Sequence, residues 1–195
     1  MLFEKEDKKI YFVHIPRTGG RFVQNLLLQN KFSVNIDANF PYEKYEFMHL
    51  HHELLCNFNF YNNNKKFTIV RNPLDRFLSI AKFDMYYNGP DHKFRLKTKE
   101  DVIDYIELCS KGHLRNDNWL RPQSDFIGED CKVYKYEDGL KENFLQFLKI
   151  NFDIKLDYVE SLWKDTSSLH EDLKNIDEIK KAVELIYDKD YKNFY

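Results

Sequence analysis

Two stretches of the chain share one pattern, in which an apolar run leads through a short loop into an amphipathic helix. Residues 9–15 are almost continuously apolar, which predicts a buried parallel strand. The loop that follows has two adjacent glycines, and from Phe22 to Leu27 apolar residues recur at helical spacing. We therefore expect a strand, a tight turn and a helix that ends near Asn30.

The same pattern returns later in the chain. Residues 67–70 predict a second short strand, and Pro73 suits the first turn of a helix that runs to about Tyr87. Because strands alternate with helices, the pattern predicts an α/β fold, a three-layer parallel sheet flanked by helices. Further strands are predicted over 32–36, 45–51 and 132–136, and further helices over 100–110, 140–148 and 176–187.

Composition limits the classes of partner. A chain of 195 residues with 43% hydrophobic residues can bury one sizeable core, and no Pro-, Gly- or Ser-rich linker interrupts it. We expect a single domain over residues 1–195. With 30 Lys and Arg against 32 Asp and Glu, the formal net charge is −2, so the chain lacks the basic field that binds nucleic acid. An anion site must therefore be local.

Location and redox state follow from the first residues and the cysteines. Residues 1–9 are charged, and the apolar run 10–15 is too short for a signal peptide or a membrane span. We therefore expect a cytoplasmic protein. The odd number of cysteines, without C-x-x-C spacing, argues against a disulfide framework and a thiolate metal site and predicts reduced, mostly buried thiols at Cys56, Cys109 and Cys131.

The loop between the first strand and the first helix has the features of an anion site. Backbone N–H groups at a helix N-terminus favour phosphate, and Arg17 places a positive charge beside them. Residues 14–22 lack both the first glycine and the Lys-Ser/Thr end of a Walker A loop, Gly-x-x-x-x-Gly-Lys-[Ser/Thr]. The pattern disfavours ATP or GTP hydrolysis, and a tight turn without a ligand is the alternative.

Residues 14–21, His-Ile-Pro-Arg-Thr-Gly-Gly-Arg, are similar to the loop His-Ile-Pro-Lys-Thr-Gly-Gly-Thr of sulfotransferases that use 3'-phosphoadenosine 5'-phosphosulfate (PAPS). The chain resembles in particular the carbohydrate O-sulfotransferases that act on heparan sulfate. That family's second motif, Arg-x-Pro-x-x-Arg-x-x-Ser, is matched by Arg71, Pro73, Arg76 and Ser79. The resemblance continues through residues 119–126, 136–138 and 187–195, and it implies a P-loop-NTPase-like sulfotransferase fold.

The resemblance implies a nucleotide site with two ends and no metal. It assigns the 3'-phosphate to Arg71 and Ser79, and the acceptor side to Trp119 and Gln123. The 5'-phosphosulfate falls to the first loop and the start of its helix: Arg17, Thr18, Gly19, Gly20, Arg21 and Phe22. Arg17 and Arg21 stand where the family usually has lysine and threonine, and Arg17 is expected to stabilise the leaving phosphate of the product, 3'-phosphoadenosine 5'-phosphate (PAP).

Three histidines offer the base that an attacking hydroxyl requires, because a neutral imidazole accepts protons near pH 7. In the resembling enzymes the base lies a few residues before a Glu-Leu pair, which favours His49. His51 is second, since on a strand it would share the face of His49 while His52 points away. A metal site with His-x-His spacing and a structural role are the alternatives.

Taken together, the residues predict a sulfotransferase that moves a sulfuryl group from PAPS to a hydroxyl of a saccharide, lipid headgroup or small metabolite. One alternative is a nucleotide or small-molecule kinase with a P-loop-like site. The other is a non-catalytic protein that binds PAP or another nucleotide.

Overall fold

The computed structural model describes residues 1–35, 41–42, 45–87, 100, 104–105, 118–158 and 175–195. Contacts divide the chain into two compact units, one formed by Met1–Arg71 and Gln123–Lys164, the other by Asn72–Pro122 and Asp165–Tyr195. The single domain stays a prediction. Most of the helix predicted over 100–110 lies outside the described residues.

In its described part, the first unit contains a sheet of five strands. They are β1 (Leu2–Lys5), β2 (Lys8–Val13), β3 (Ser33–Val34), β6 (Lys66–Val70) and β7 (Cys131–Lys135), in the order β3-β1-β2-β6-β7. β4 (Pro41–Tyr42) and β5 (Tyr45–Glu46) form a separate antiparallel pair. Strands β2, β6 and β7 run parallel, as the predicted α/β fold requires.

The sheet is mixed, because antiparallel pairs lie beside its parallel strands β2, β6 and β7. β1 is antiparallel to both β2 and β3. A two-residue turn at Glu6 and Asp7, with Glu6 in the left-handed region (φ 56°), folds β1 back onto β2. The sequence did not predict this hairpin, because charged residues interrupt the apolar pattern at the start of the chain.

Helices cover both faces of the sheet because side chains alternate along β2. Ile10 and Phe12 belong to the core formed with α1 (Gly20–Gln29) and α5 (Glu142–Phe152). Tyr11 points to the opposite face, where its ring lies 5.6 Å from Phe60 and 5.3 Å from Tyr61 in α3 (Asn59–Asn62). The first unit therefore has three layers.

The second unit is helical in its described part. It contains α4 (Pro73–Tyr87), α6 (Asp177–Ile186) and α7 (Asp188–Phe194). Asn72 caps α4, since its Oδ1 accepts from the N–H groups of Leu74 (3.1 Å) and Asp75 (3.3 Å). The core of the second unit joins residues of α4 to residues of α6 and to Tyr105 and Tyr187. The predicted helix from Pro73 to Tyr87 is confirmed.

Two local expectations are corrected. The strand predicted over 45–51 ends at Glu46, and residues Phe47–His49 form a 3-10 turn before α2 (His52–Leu55). Cys131 is buried but Cys56 is exposed, whereas Cys109 lies outside the described residues. In the part of the chain that the structure describes, none of the helices has the length and apolar character needed to span a bilayer.

Candidate active site

The carboxyl ends of the three parallel strands lie at one edge of the sheet. His14 follows β2, Arg71 follows β6 and Tyr136 follows β7. In an α/β sheet this edge is where loops gather residues for ligands. The two predicted phosphate-binding segments therefore both begin here.

The loop after β2 forms a cradle at the N-terminus of α1. Arg17 and Gly19 both adopt left-handed backbone conformations, at φ 66° and φ 99°. Such a conformation is strained for arginine but natural for glycine. Gly19 is the N-cap of α1 and has no side chain to cap it, and the first turn of α1 carries no acidic residue. The positive end of the helix dipole is therefore presented to the cradle without a carboxylate from the first turn of α1 itself.

Three successive carbonyl groups at the entrance to the cradle each accept a hydrogen bond from a side chain. Thr68 Oγ1 donates to Val13 O (2.8 Å) and Thr18 Oγ1 donates to Ile15 O (2.9 Å). Between them, His49 Nδ1 lies 3.0 Å from His14 O. All three side chains are buried, so these bonds fix the path of the backbone from the strand into the loop.

The imidazole of His14 determines which residue can begin α1. A Cβ built on Gly20 would lie 1.7 Å from His14 Nε2, so position 20 requires glycine as long as the ring stays in place. The ring stacks on Phe12 at 5.5 Å and lies 4.6 Å from the ring of His49. Burial lowers the pKa of His14 well below its usual value, and the nearby His49 and Arg21 lower it further. His14 is therefore neutral at pH 7.

His49 is the predicted base that contacts the cradle. A carbonyl oxygen can only accept, so the bond to His14 O requires the proton of a neutral His49 ring to be on Nδ1. Nε2 then holds the lone pair, which is the arrangement a general base needs.

The other two histidines occupy different positions from those a strand would give them. His51 is the buried N-cap residue of α2. His52 is the first residue of α2, and its Nδ1 lies 2.8 Å from Tyr61 Oη. Among the described residues, no three His, Cys, Asp or Glu side chains gather as a metal site would require.

Arg71 links the second motif to the first. Its Nη1 donates to the carbonyl of Arg17 at 3.4 Å, and its guanidinium carbon lies 4.7 Å from the centre of the Tyr136 ring. The Tyr136 ring also lies beside the cradle, since a Cβ on Gly19 would be 3.4 Å from it. One arginine and one tyrosine thus join the ends of β2, β6 and β7.

Gln123 is fully buried and faces the backbone of Arg71. Its Oε1 accepts from the Arg71 N–H at 2.9 Å, and its Nε2 donates to the Arg71 carbonyl at 2.8 Å. The predicted contact with an acceptor stays a prediction. The sequence offered no sign of this pairing, because a buried glutamine can bind any backbone group within reach of its amide.

The family of the chain follows from a comparison with family models. The model described as the sulfotransferase family matches residues 1–195. The chain belongs to the sulfotransferase family. Membership supports an enzyme with sulfotransfer activity and agrees with the α/β architecture. Neither a curated protein nor a solved structure matches this sulfotransferase at a significant level.

The residues of the sulfotransferase that are expected to bind the 5'-phosphosulfate of the nucleotide have two kinds of environment. The backbones of residues 17–20 form the cradle, and the Arg21 side chain is exposed at the start of α1. The Phe22 side chain packs toward the core, with its ring 6.1 Å from that of Phe144. A contribution of Phe22 to an anion site would therefore come from its backbone N–H.

The remaining motif residues of the sulfotransferase lie in the second unit. Ser79 is buried within α4. Arg76 is 1% exposed, and its guanidinium donates to the carbonyls of Trp119 (2.7 Å) and Arg121 (3.1 Å). The backbone carbonyl of Trp119 therefore accepts a hydrogen bond from Arg76. Contact of the Trp119 side chain with an acceptor stays a prediction.

Proposed function

We propose that this sulfotransferase uses PAPS as its donor and a hydroxyl group as its acceptor. The observation that carries the proposal is the contact between its two motifs: Arg71 follows β6, yet its guanidinium reaches the carbonyl of Arg17 in the loop after β2. A nucleotide with phosphates at both its 3' and 5' positions requires two anion-binding segments at one edge of a sheet.

The residues fit the phosphate groups of such a nucleotide. The N-terminus of α1, with Arg17 in the cradle and Arg21 in its first turn, offers backbone donors and positive charge to a 5'-phosphosulfate. Arg71 offers a planar guanidinium to the 3'-phosphate, and the motif assigns Ser79 the same ligand. When bound, PAPS supplies the sulfuryl group and a stable leaving group.

Each step of the transfer has a residue suited to it. His49 Nε2 removes the proton of the acceptor hydroxyl as its oxygen forms a bond to sulfur. The bond between sulfur and the bridging oxygen breaks, and Arg17 stabilises the negative charge that develops on the 5'-phosphate. The products are a sulfate ester, PAP and one proton, which His49 releases to water.

Heparan-sulfate-like saccharides are the first acceptors to test, because the motifs resemble that branch. Lipid headgroups and small hydroxylated metabolites are the other two classes. The formal net charge of the chain, −2, gives no net attraction for an extended polyanion, so short saccharides are tested before long chains.

Transfer of radiolabelled sulfate from PAPS to these three acceptor classes tests the proposal. We expect a labelled ester and an equal amount of PAP. His49→Ala lowers kcat by about 10²–10⁴-fold, as expected for loss of a general base, while His52→Ala is the matched control with near-normal activity. His51→Ala decides between the two predicted bases, since a greater loss there would reassign the role.

Two outcomes would replace the proposal with its alternatives. Tight PAP binding without transfer to any acceptor would indicate a non-catalytic nucleotide-binding protein, and recovery of transfer in Arg17→Lys would attribute the loss to that position. Binding of ATP with magnesium at an affinity equal to that of PAP would indicate a kinase.

A further inference from the structure

Gln123 supports Arg71 through contacts that the proposed chemistry does not use. The Gln123 side chain is 0% exposed, and its amide binds both the N–H and the carbonyl of Arg71, at 2.9 and 2.8 Å. One side chain thus satisfies both polar groups of a single residue. Rotation of the Arg71 backbone would break both bonds at once, so Gln123 fixes its direction.

The contact between Gln123 and Arg71 lies just beyond the end of β6, where strand pairing no longer holds the backbone. The ladder between β6 and β7 ends with Val70 opposite Lys135, so Arg71 is the first residue beyond the paired strands. At that position the amide of Gln123 takes the place of a neighbouring strand. The order of the sheet is thereby extended by one residue, to the residue that carries the guanidinium.

Two further contacts hold the guanidinium group at the end of the Arg71 side chain. Its guanidinium carbon lies over the Tyr136 ring, 4.7 Å from the ring centre, and its Nη1 donates to Arg17 O. Because Gln123 fixes the backbone of Arg71 and because Tyr136 and Arg17 contact its guanidinium, the side chain is pre-organised, and less entropy is lost when it binds an anion.

We infer that Gln123 is a positioning residue that gives the site its preference for nucleotides with a 3'-phosphate, by holding Arg71 in the direction that binds this group. The inference rests on the proposed function, which assigns the 3'-phosphate to Arg71. It gives Gln123 a role in donor recognition through Arg71, in place of a direct contact with the acceptor.

Binding of two nucleotides tests the inference. PAP carries the 3'-phosphate and adenosine 5'-phosphate lacks it, so the ratio of their dissociation constants measures the preference. Gln123→Met keeps the length of the side chain but removes both hydrogen bonds, and we expect it to lower the ratio about tenfold. Gln123–Phe126 form a short 3-10 turn, and the matched control is Phe126→Leu, a change of a buried side chain in this turn, which should keep the wild-type ratio.

A double variant distinguishes a role through Arg71 from a general loss of structure. In the Arg71→Ala background the part of the preference that Arg71 supplies is already lost, so Gln123→Met should change the ratio no further. A wild-type ratio in Gln123→Met alone, or a further change in the double variant, would overturn the inference.

Hydrogen exchange separates failure of the inference from failure of the proposed function. Wild-type protein without any preference for PAP would overturn the assignment of Arg71 to the 3'-phosphate. The contact itself is measured by exchange of the Arg71 backbone N–H, which should become faster in Gln123→Met while Ile69, inside β6, stays protected. Unchanged exchange at Arg71 would show that Gln123 does not hold it.

Discussion

Two arginines of one short motif have opposite environments in the two units. In the first unit, Arg71 is half-buried at the end of β6, with its guanidinium over the Tyr136 ring. In the second unit, Arg76 is 1% exposed in α4, where its guanidinium donates to two backbone carbonyls and lies 5.8 Å from the Tyr187 ring. Burial lowers the pKa of Arg76, and electrostatic interactions with Tyr187 and Asp190 act in the opposite direction.

The difference separates the arginine that we propose to bind the ligand from the one that stabilises the fold. Arg71 lies at the end of β6 and contacts Arg17 in the cradle, whereas Arg76 donates hydrogen bonds to backbone carbonyls inside the second unit. A guanidinium suits both tasks, because it has five donors in one plane and keeps its charge when buried. Spacing alone therefore does not distinguish a ligand arginine from a structural one.

The largest expected effect comes from Arg76. Arg76→Met removes the hydrogen bonds that Arg76 donates to the carbonyls of Trp119 and Arg121, and it removes a positive charge that interacts with the fully buried Asp190. We expect the free energy of unfolding to fall by about 3–5 kcal/mol. Urea denaturation measures this loss, and a decrease of less than about 1 kcal/mol in the free energy of unfolding would contradict a structural role.

Replacement of Arg71 should have the opposite profile. Arg71→Met should change the free energy of unfolding by only about 1 kcal/mol, since the cation–π contact with Tyr136 is partly exposed. Its affinity for PAP should fall about 10–100-fold, as expected for loss of a charge-assisted bond to phosphate. Calorimetry of binding and urea denaturation on the same sample give both numbers, and unchanged affinity would remove Arg71 from the site.

The start of α1 offers a third comparison, between two glycines. Gly20→Ala places a methyl group where the His14 ring lies, so we expect a loss of about 1–3 kcal/mol together with lower PAP affinity. The control is Gly139→Ala, where φ is 89° but no atom lies within 4 Å of the new Cβ. Its cost is backbone strain alone, about 1–3 kcal/mol, and PAP affinity should be normal. Equal PAP affinities in the two variants would contradict the account of the cradle.

The smallest effect is a dependence of stability on pH. His14 has a folded-state pKa far below its unfolded value near 6.5, so below that pH the unfolded chain binds a proton that the folded chain does not. Stability is therefore lost as the pH falls from 7 to 5, by up to about 2 kcal/mol from this residue. Denaturation at both pH values should show a smaller change in His14→Gln than in wild type, and equal changes would contradict a neutral buried His14.

Much of the fold was predictable because strong local patterns dominate it. The apolar run before His14 and the Pro73 start of α4 both formed as predicted. The position of β1 was not predictable, since Leu2 and Phe3 alone among charged neighbours are too few to indicate a strand. His49 was expected on a strand, yet the chain turns after Glu46 and the contact with His14 depends on that turn. The amide of Gln123 finds its partner only through tertiary structure.

The central claim is that the two strand-end motifs together bind one nucleotide with phosphates at both ends. Calorimetric titration of the wild-type protein with PAP, and separately with ATP and magnesium, tests this claim most directly. The account predicts that PAP binds at least about 100-fold more tightly than ATP, since only PAP offers a 3'-phosphate to Arg71. Equal affinity for the two nucleotides would contradict it.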